Sequence, residues 1–480
     1  MNLVKNGLVL TFARLTNYVM MLVTPIFMVR MLDIETYGQY REFLLYALIL
    51  ASVLGLSIKD NLIYTIPRHP DRGAAATTQT VGMLLTTTTL GLALFAIGSP
   101  WLMGKASWDF FWPLVLYVFF FLNFDVLEGY WIARQQPRFV LIYTSTRTLI
   151  RILVVLGATY YLRDLPRILA TIIAFEVVKS GVCLYLLIRI GALRLVIDRA
   201  LLSEQLRFIL PLSGAGLLYF VNEKAGHFFI STTMGASALA IYTIGTYQLP
   251  ITTIVRSAVA DTLFPEMVKH AATGSGEGMR LWKQATVFYC LLVFPIFAVL
   301  FTFAEQFVTT LFTRDYVEAV GVFQIALLLM LRQCFEMGTP LRAQNSNKPL
   351  LIANMVAIAI HLPLLALLAP AIGIRGAAIS WLTADMVITL YLARTIMNRY
   401  NLRLAEFSYW RPIAKLAFAA VVTSPLLIAA GQWSDGRLWP ELLAAPFYMM
   451  LYVGVLKLMR LAELDAVFRI ALGLLGRRSA

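Results

Sequence analysis

Runs of about 20 apolar residues, each long enough to cross about 30 Å of hydrocarbon as a helix, follow one another along the chain with short polar breaks between them. The pattern predicts about fourteen such spans, near residues 8–31, 43–65, 78–100, 110–133, 140–162, 168–190, 207–232, 239–264, 284–305, 317–338, 349–370, 376–394, 412–431 and 438–459. The longest breaks are Gly191 to Gln205, Met267 to Trp282 and Asn398 to Tyr409. No stretch is left over for a globular domain.

The breaks repeat a plan. One apolar span carries Asn222, Glu223, Lys224 and His227, breaks at Thr233-Met-Gly-Ala-Ser-Ala238, and is followed by a second that closes on Phe264-Pro265-Glu266. Near the N-terminus a span with Arg14 breaks at Met31-Leu-Asp-Ile-Glu-Thr-Tyr-Gly-Gln-Tyr40, and the next closes on Ile66-Pro67-Arg68. Aligning Tyr40 with Tyr242 places Leu32-Asp33 over Met234-Gly235. The expectation is two parallel structural repeats facing each other, with a site between them.

Composition supports the membrane reading. At 480 residues, 60% hydrophobic and 14% charged, with a mean hydropathy of +0.76, the chain does not read as several soluble domains. The net charge of +14 suggests nucleic acid only at first sight, because the basic residues fall in alternate loops and not in one patch. Roughly 24 lie on one side and roughly 8 on the other, which puts both termini in the cytoplasm under the positive-inside rule. Lys5 flanks the first span and Arg14 interrupts it, so it reads as a retained helix and not a signal peptide. Cys183, Cys290 and Cys334 are odd in number and lie in apolar spans, and His69, His227, His270 and His361 are scattered, so neither a disulfide framework nor a metal site is expected. Thr273-Gly-Ser-Gly-Glu-Gly278 reads as a flexible link, since no strand precedes it and no Lys-Ser/Thr follows.

The informative residues are charges inside the spans. Such a charge costs on the order of 2.5–3.5 kcal/mol at a helix centre, so it should pair, line water or face the bundle interior. Thr144, Arg147, Thr148 and Arg151 form one polar stripe on the fifth span, and Tyr219, Asn222, Glu223, Gly226 and His227 form another on the seventh. Arg14, Asn17, Tyr18 and Met21 form a third on the first span, and Arg256 follows Thr252 and Thr253 on the eighth. These stripes suit a shared cationic cavity. A purely structural alternative pairs Asp125 and Glu128 of the fourth span with Arg147 and Arg151. Glu176 with Lys179, and Arg332 with Glu336, are expected to neutralise each other along their own helices. Lys59 and Asp60 read as snorkelling near the end of the second span. Asp385, alone in the twelfth span, is a candidate for proton or sodium coupling; Glu223 and Asp261 are coupling or charge-pair candidates.

From Leu311 onward a family resemblance appears. Leu311-Phe-Thr-Arg-Asp-Tyr-Val-Glu-Ala319, Asn354 within an apolar helix, and Gly373-Ile-Arg-Gly-Ala-Ala-Ile-Ser380 resemble the second half of the polysaccharide-transporter branch of the MOP exporter superfamily. The break Met31 to Tyr40, and Met234 to Tyr242 with Pro265-Glu266, resemble the same family's signatures after its first and seventh helices. The resemblance implies an all-α polytopic membrane protein of about fourteen helices with a MATE-like MOP fold: one lobe over residues 1–200, a second over 201–400, and two further helices with a cytoplasmic tail over 401–480. It also implies a flippase that moves an undecaprenyl-pyrophosphate-linked glycan across the cytoplasmic membrane by alternating access, among membrane lipids and alongside polysaccharide polymerase or assembly proteins. Arg14, Arg147, Arg151, Lys224 and Arg256, with Asn222, are the residues here that could engage the pyrophosphate. Many relatives carry an Asp in the seventh helix where this chain has Gly226, with Glu223 one turn earlier, so coupling to Na+ or H+ is left open. No cofactor or nucleic acid is expected.

Two other classes of function fit these residues less well. A cation-coupled multidrug antiporter of the same superfamily fits poorly with so many intramembrane Arg. A polysaccharide polymerase or glycosyltransferase needs a sizeable outer loop or paired acids at a helix mouth, and neither is visible.

Overall fold

The computed structural model describes residues 23–102, 110–194, 197–247, 263, 267–270, 276–344, 346, 348–433 and 438–461. Among these residues every regular element is a helix. Residues 23–31 end the first span, and then follow α1 (Ile34–Gly55), α2 (Asn61–Arg68), α3 (Gly73–Leu102), α4 (Phe111–Leu122), α5 (Leu127–Ala133), α6 (Pro137–Leu162), α7 (Leu165–Arg189), α8 (Arg199–Met234) and α9 (Ala236–Gly245). The chain continues through α10 (Glu277–Thr302), α11 (Ala304–Phe312), α12 (Ala319–Gln333), α13 (Gly338–Ala343), α14 (Lys348–Ile372), α15 (Ile374–Arg399), α16 (Leu404–Phe407), α17 (Trp410–Trp433) and α18 (Leu438–Leu458). Nine segments among the described residues are long and apolar enough to cross a membrane, and shorter apolar helices cover Ala236–Gly245 and Leu443–Leu458. That is compatible with the expected fourteen spans.

Local chemistry sets the helix ends. Asp33, Asp164 and Asp198 cap α1, α7 and α8 by accepting backbone N–H bonds, from Thr36 at 3.2 Å, from Arg167 at 3.3 Å, and from Ala200 and Leu201 at 3.1 Å each. Gly235, at φ +88°, ends α8, and Gly373, at φ +66°, turns α14 into α15; both lie in the left-handed region that glycine enters without strain. Pro211, Pro295, Pro363, Pro370, Pro425 and Pro446 lie inside helices, a pattern tolerated where neighbouring helices satisfy the released carbonyls.

Several expected spans are broken. The second is two helices, α1 and α2, separated at Leu56 and Ser57, which carry positive φ. The fourth breaks at Asn123 to Val126, where Phe124 takes φ 65°, and the tenth breaks between α12 and α13. A break in a span exposes backbone N–H and C=O groups at membrane depth, and these are tolerated only where protein or water satisfies them.

The chain forms two compact units, Met1–Thr243 and Ile244–Ala480. In the first, α6 packs on α7, α4 on α7 and α1, and α2 on α5. Helix α8 packs on α1, α2 and α3. Its approach is tied down by Arg72 to Asp198 at 3.0 Å and His69 to Glu204 at 2.9 Å, with Tyr64 stacked on Phe208 at 4.2 Å. The core of this unit gathers at the broken helices: Ile58, Leu62, Leu84, Val126, Leu127 and Leu187.

In the second unit α14 and α15 form the closest pair, α12 packs on α15, and α17 lies between α10 and α18. A Cβ on Gly376 would stand 2.1 Å from the carbonyl oxygen of Leu368, so this motif glycine lets α15 press against the backbone of α14. Gly376→Ala is expected to cost about 1–3 kcal/mol by overpacking, read as a lower melting temperature of the protein in lipid nanodiscs. Cys183, Cys290 and Cys334 are all buried and unbridged. The outward faces carry Leu94, Ile97, Tyr161, Leu390 and Val421 in the open, a surface that suits lipid.

Candidate functional site

The break in the fourth span organises a cluster of charges in the first unit. α4 ends at Leu122, the chain crosses Asn123 to Val126 in extended and bent conformations, and α5 starts at Leu127. Asp125 in the break and Glu128 in the first turn of α5 bring negative charge to that helix's positive end, while Lys179 of α7 lies beside the carboxylates. Ser180 donates to the carbonyl of Phe120 at 2.8 Å, which satisfies one acceptor released where α4 ends.

Arg147, on α6, turns both ends of its guanidinium to this break. Nη1 lies 3.0 Å from Asp125 Oδ2 and Nη2 lies 3.1 Å from Glu128 Oε2. Tyr143 donates to Asp125 Oδ1 at 2.6 Å, and Lys179 Nζ approaches Asp125 Oδ2 at 3.4 Å. Lys179 is also 2.5 Å from Glu176 Oε2, so the expected pairing along α7 is present and is one edge of a larger network. Lys59, in the break between α1 and α2, is half-buried and within electrostatic reach of Asp125. It belongs to this cluster, whereas its neighbour Asp60 is exposed. The carbonyl oxygen of Lys59 would stand 3.3 Å from a Cβ on Gly129, so that glycine admits the break to α5.

Arg151, one turn beyond Arg147, is held differently. Its Nη2 donates to Tyr117 at 2.7 Å, and its only carboxylate neighbour among the described residues is Glu176, at 3.8 Å. Glu176 is 1% exposed and already bonded to Lys179, whereas Arg151 is 35% exposed. The cluster holds four cations, Lys59, Arg147, Arg151 and Lys179, against three carboxylates, Asp125, Glu128 and Glu176. One positive charge is left over, and of the three cations with an ion pair Arg151 has the longest distance and the most exposed side chain. Thr144 bonds back to the Val140 carbonyl of its own helix and takes no part.

The remaining expected residues are distributed as follows. Lys224 pairs with its neighbour Glu223 at 2.7 Å on α8, with both half-buried, and Asn222 is half-buried beside them. A Cβ on Gly226 would stand 2.7 Å from the hydroxyl at the end of the buried Tyr242 side chain, which would have to shift. Arg14, Arg256 and Asp261 lie outside the described residues.

In the second unit Arg332 and Glu336, expected to pair along one helix, each engage other groups. Arg332 bonds Asp385 of α15 through Nε and Nη2, so this acid has a charge partner on a neighbouring helix. Glu336 instead accepts from the N–H groups of Gly338 at 3.1 Å and Thr339 at 2.8 Å, because the break before α13 leaves those donors unmet.

Comparison with solved structures places the fold. The lipid II flippase MurJ in an inward closed conformation superposes with a TM-score of 0.70 at 10% identity, over 94% of this chain and 98% of that one. An inward-facing multidrug resistance MATE transporter of the MOP superfamily gives 0.60 at 13% identity, over 82% and 94%. This is the fold of the MOP exporters. A MOP superfamily transporter from Pyrococcus furiosus shares it with a TM-score of 0.57 at 14% identity, over 83% of this chain and 96% of that one. The family described as polysaccharide biosynthesis protein matches residues 125–321, a stretch that begins at Asp125. No curated protein matches the chain. The fold that the MOP resemblance implied is thereby borne out, and the chain is a multi-pass membrane protein.

Proposed function

We propose that this protein is a flippase for a polyprenyl-pyrophosphate-linked oligosaccharide, of the undecaprenyl type, in cell-surface polysaccharide biosynthesis. The observation that carries the reading is the unbalanced cluster at the broken fourth span, with Arg151 half-buried and 3.8 Å from its carboxylate neighbour. Discontinuous helices near the bilayer midplane are where transporters of several folds hold their substrates. A guanidinium suits phosphate oxygens because it is planar, bidentate and always charged. Two unit charges about 4 Å apart attract by roughly 4 kcal/mol at an effective dielectric near 20, enough to offset part of the desolvation of a pyrophosphate.

In this reading no bond is made or broken. The lipid tail stays in the bilayer, the glycan crosses in water by alternating access, and net direction comes from an ion gradient or from removal of product. The charge asymmetry of the loops puts the termini in the cytoplasm, and polysaccharide polymerase or assembly proteins are the natural partners.

Proteoliposomes loaded with a lipid-pyrophosphate oligosaccharide test the reading, with transfer scored by an outside sugar-modifying enzyme. Arg151→Ala is expected to lower transfer about 10- to 100-fold, the scale of a lost hydrogen bond to a charged group, with little loss of stability. Arg147→Ala is expected to act chiefly on stability, since its guanidinium is already engaged. No transfer by the wild type, together with movement of an organic cation against a proton or sodium gradient, would replace the flippase by a drug antiporter.

A further inference from the structure

In the second unit, the segment that joins α15 to α17 combines open apolar side chains with unpaired cations. Both flanking helices are long and apolar enough to cross a membrane, so connectivity holds residues 400–409 at the bilayer surface. Three contacts fix the segment in place. The Tyr400 hydroxyl donates to the carbonyl of Pro340 at 3.0 Å, Phe407 of α16 packs its ring 5.3 Å from that of the buried Trp282, and the Trp410 indole N–H donates to the carbonyl of Leu404 at 2.7 Å. The last bond ties the start of α17 to α16. Leu404 and Trp410 are nevertheless 68% and 40% exposed. A tryptophan with its N–H satisfied and its ring open, at the end of a spanning helix, stands where such rings settle at headgroup depth.

Cations surround these two side chains in the chain. Arg399 ends α15, Arg403 precedes α16 and Arg411 lies in the first turn of α17, and all three are exposed. Lys283 of α10 joins them, with its ammonium 5.9 Å over the Tyr409 ring. From Asn398 to Lys415 the chain carries four basic residues and one acid, Glu406. Glu406 accepts from the backbone N–H of Arg403 at 3.0 Å, and Lys415 donates to the carbonyl of Met459 at 2.7 Å. None of the ion pairs among the described residues includes Arg399, Arg403 or Arg411. The connection between α2 and α3 shows the contrast, for its Arg68 and Arg72 meet Glu204 and Asp198.

We propose that Arg399, Arg403 and Arg411, with Leu404 and Trp410, form a docking surface for the headgroup of an anionic glycerophospholipid. The guanidiniums suit the phosphate oxygens, and the apolar pair suits the glycerol and upper acyl region. Val421, about three turns beyond Trp410 on the same face of α17, is 69% exposed and continues the apolar path for an acyl chain. A zwitterionic lipid offers the same chains and phosphate but sets a choline cation beside the arginines, so net headgroup charge decides the preference.

The test uses the full chain in phosphatidylcholine vesicles that contain, at equal mole fraction, either phosphatidylglycerol or phosphatidylcholine with brominated acyl chains. Bromine quenches tryptophan emission on contact, and the share of emission that Trp410→Phe removes reports this ring. That share is expected to be quenched more strongly by the brominated anionic lipid. Arg403→Gln and Arg411→Gln are each expected to lower the preference about fivefold. Arg403→Lys with Arg411→Lys keeps the charge and is expected to keep most of the preference; its loss there too would assign the effect to disturbed structure and overturn the site. Equal quenching by the two lipids in the wild type overturns it, as does a preference that the double Gln variant retains. Quenching by neither lipid means that protein covers the ring, and it overturns the site as well. No sugar substrate is present in these vesicles, so this proposal and the flippase reading stand or fall separately.

Discussion

Asp125→Asn is expected to be the most damaging single change in the first unit. The Asp125 carboxylate receives Arg147, Lys179 and the Tyr143 hydroxyl together. Asparagine keeps the shape and removes the charge, which leaves cations facing one another in a poorly solvated cluster that already has a positive excess. Removing one partner of a buried ion pair costs about 3–5 kcal/mol, far more than a surface pair is worth. The measurement is equilibrium unfolding in nanodiscs, with Asp125→Asn beside Arg147→Gln and the double variant. The double variant is expected to recover part of the loss, because it removes one stranded cation. A single variant that unfolds with the wild type would mean that water, and not Asp125, carries the charge of Arg147.

In the same unit Gly38→Ala is expected to be costly by a different mechanism. A Cβ at Gly38 would fall 2.2 Å from the carbonyl oxygen of Ala236 and 2.4 Å from its carbon, so the obstacle is backbone and cannot rotate aside. The start of α1 and the start of α9 must separate, with about 1–3 kcal/mol lost to overpacking and further loss if neighbouring contacts open. Amide hydrogen exchange is expected to quicken across residues 34–42 and 236–243, leaving α6 and α7 unchanged. Gly226→Ala serves as the comparison. Its added carbon meets only the end of the Tyr242 side chain, so a smaller effect is expected. Equal exchange in Gly38→Ala and wild type would mean that this contact is not held in solution.

Hydropathy alone carried the helical architecture, because a membrane helix must be apolar over most of its length and little else is. The interruptions were not visible in it. A window of about 20 residues averages across the break at Asn123 to Val126, although Asn-Phe-Asp inside an apolar run was a usable sign. The Asp125 to Arg147 contact was legible because only a short turn joins the fourth and fifth spans, whereas the partner of Arg332 was not. Glu336 sits four residues on and looked sufficient, but the helix ends between them and the free N–H groups of Gly338 and Thr339 take the carboxylate. Glu42, just before the start of the second span, accepts a hydrogen bond from Ser231 of α8, which no local pattern marks. Its burial depends on α8, which is some 190 residues away in sequence. Distances of that kind are properties of packing and leave no periodic trace.

The burial of the three cysteines has a practical side. A water-soluble maleimide has no exposed native thiol to reach among Cys183, Cys290 and Cys334, so the unaltered chain is close to silent as a labelling background. Single cysteines at the exposed positions Arg163 and Ser237, on the face expected to be outer, and at Arg134 and Arg199, on the opposite one, can then report sidedness in intact cells without first stripping the protein of its own thiols.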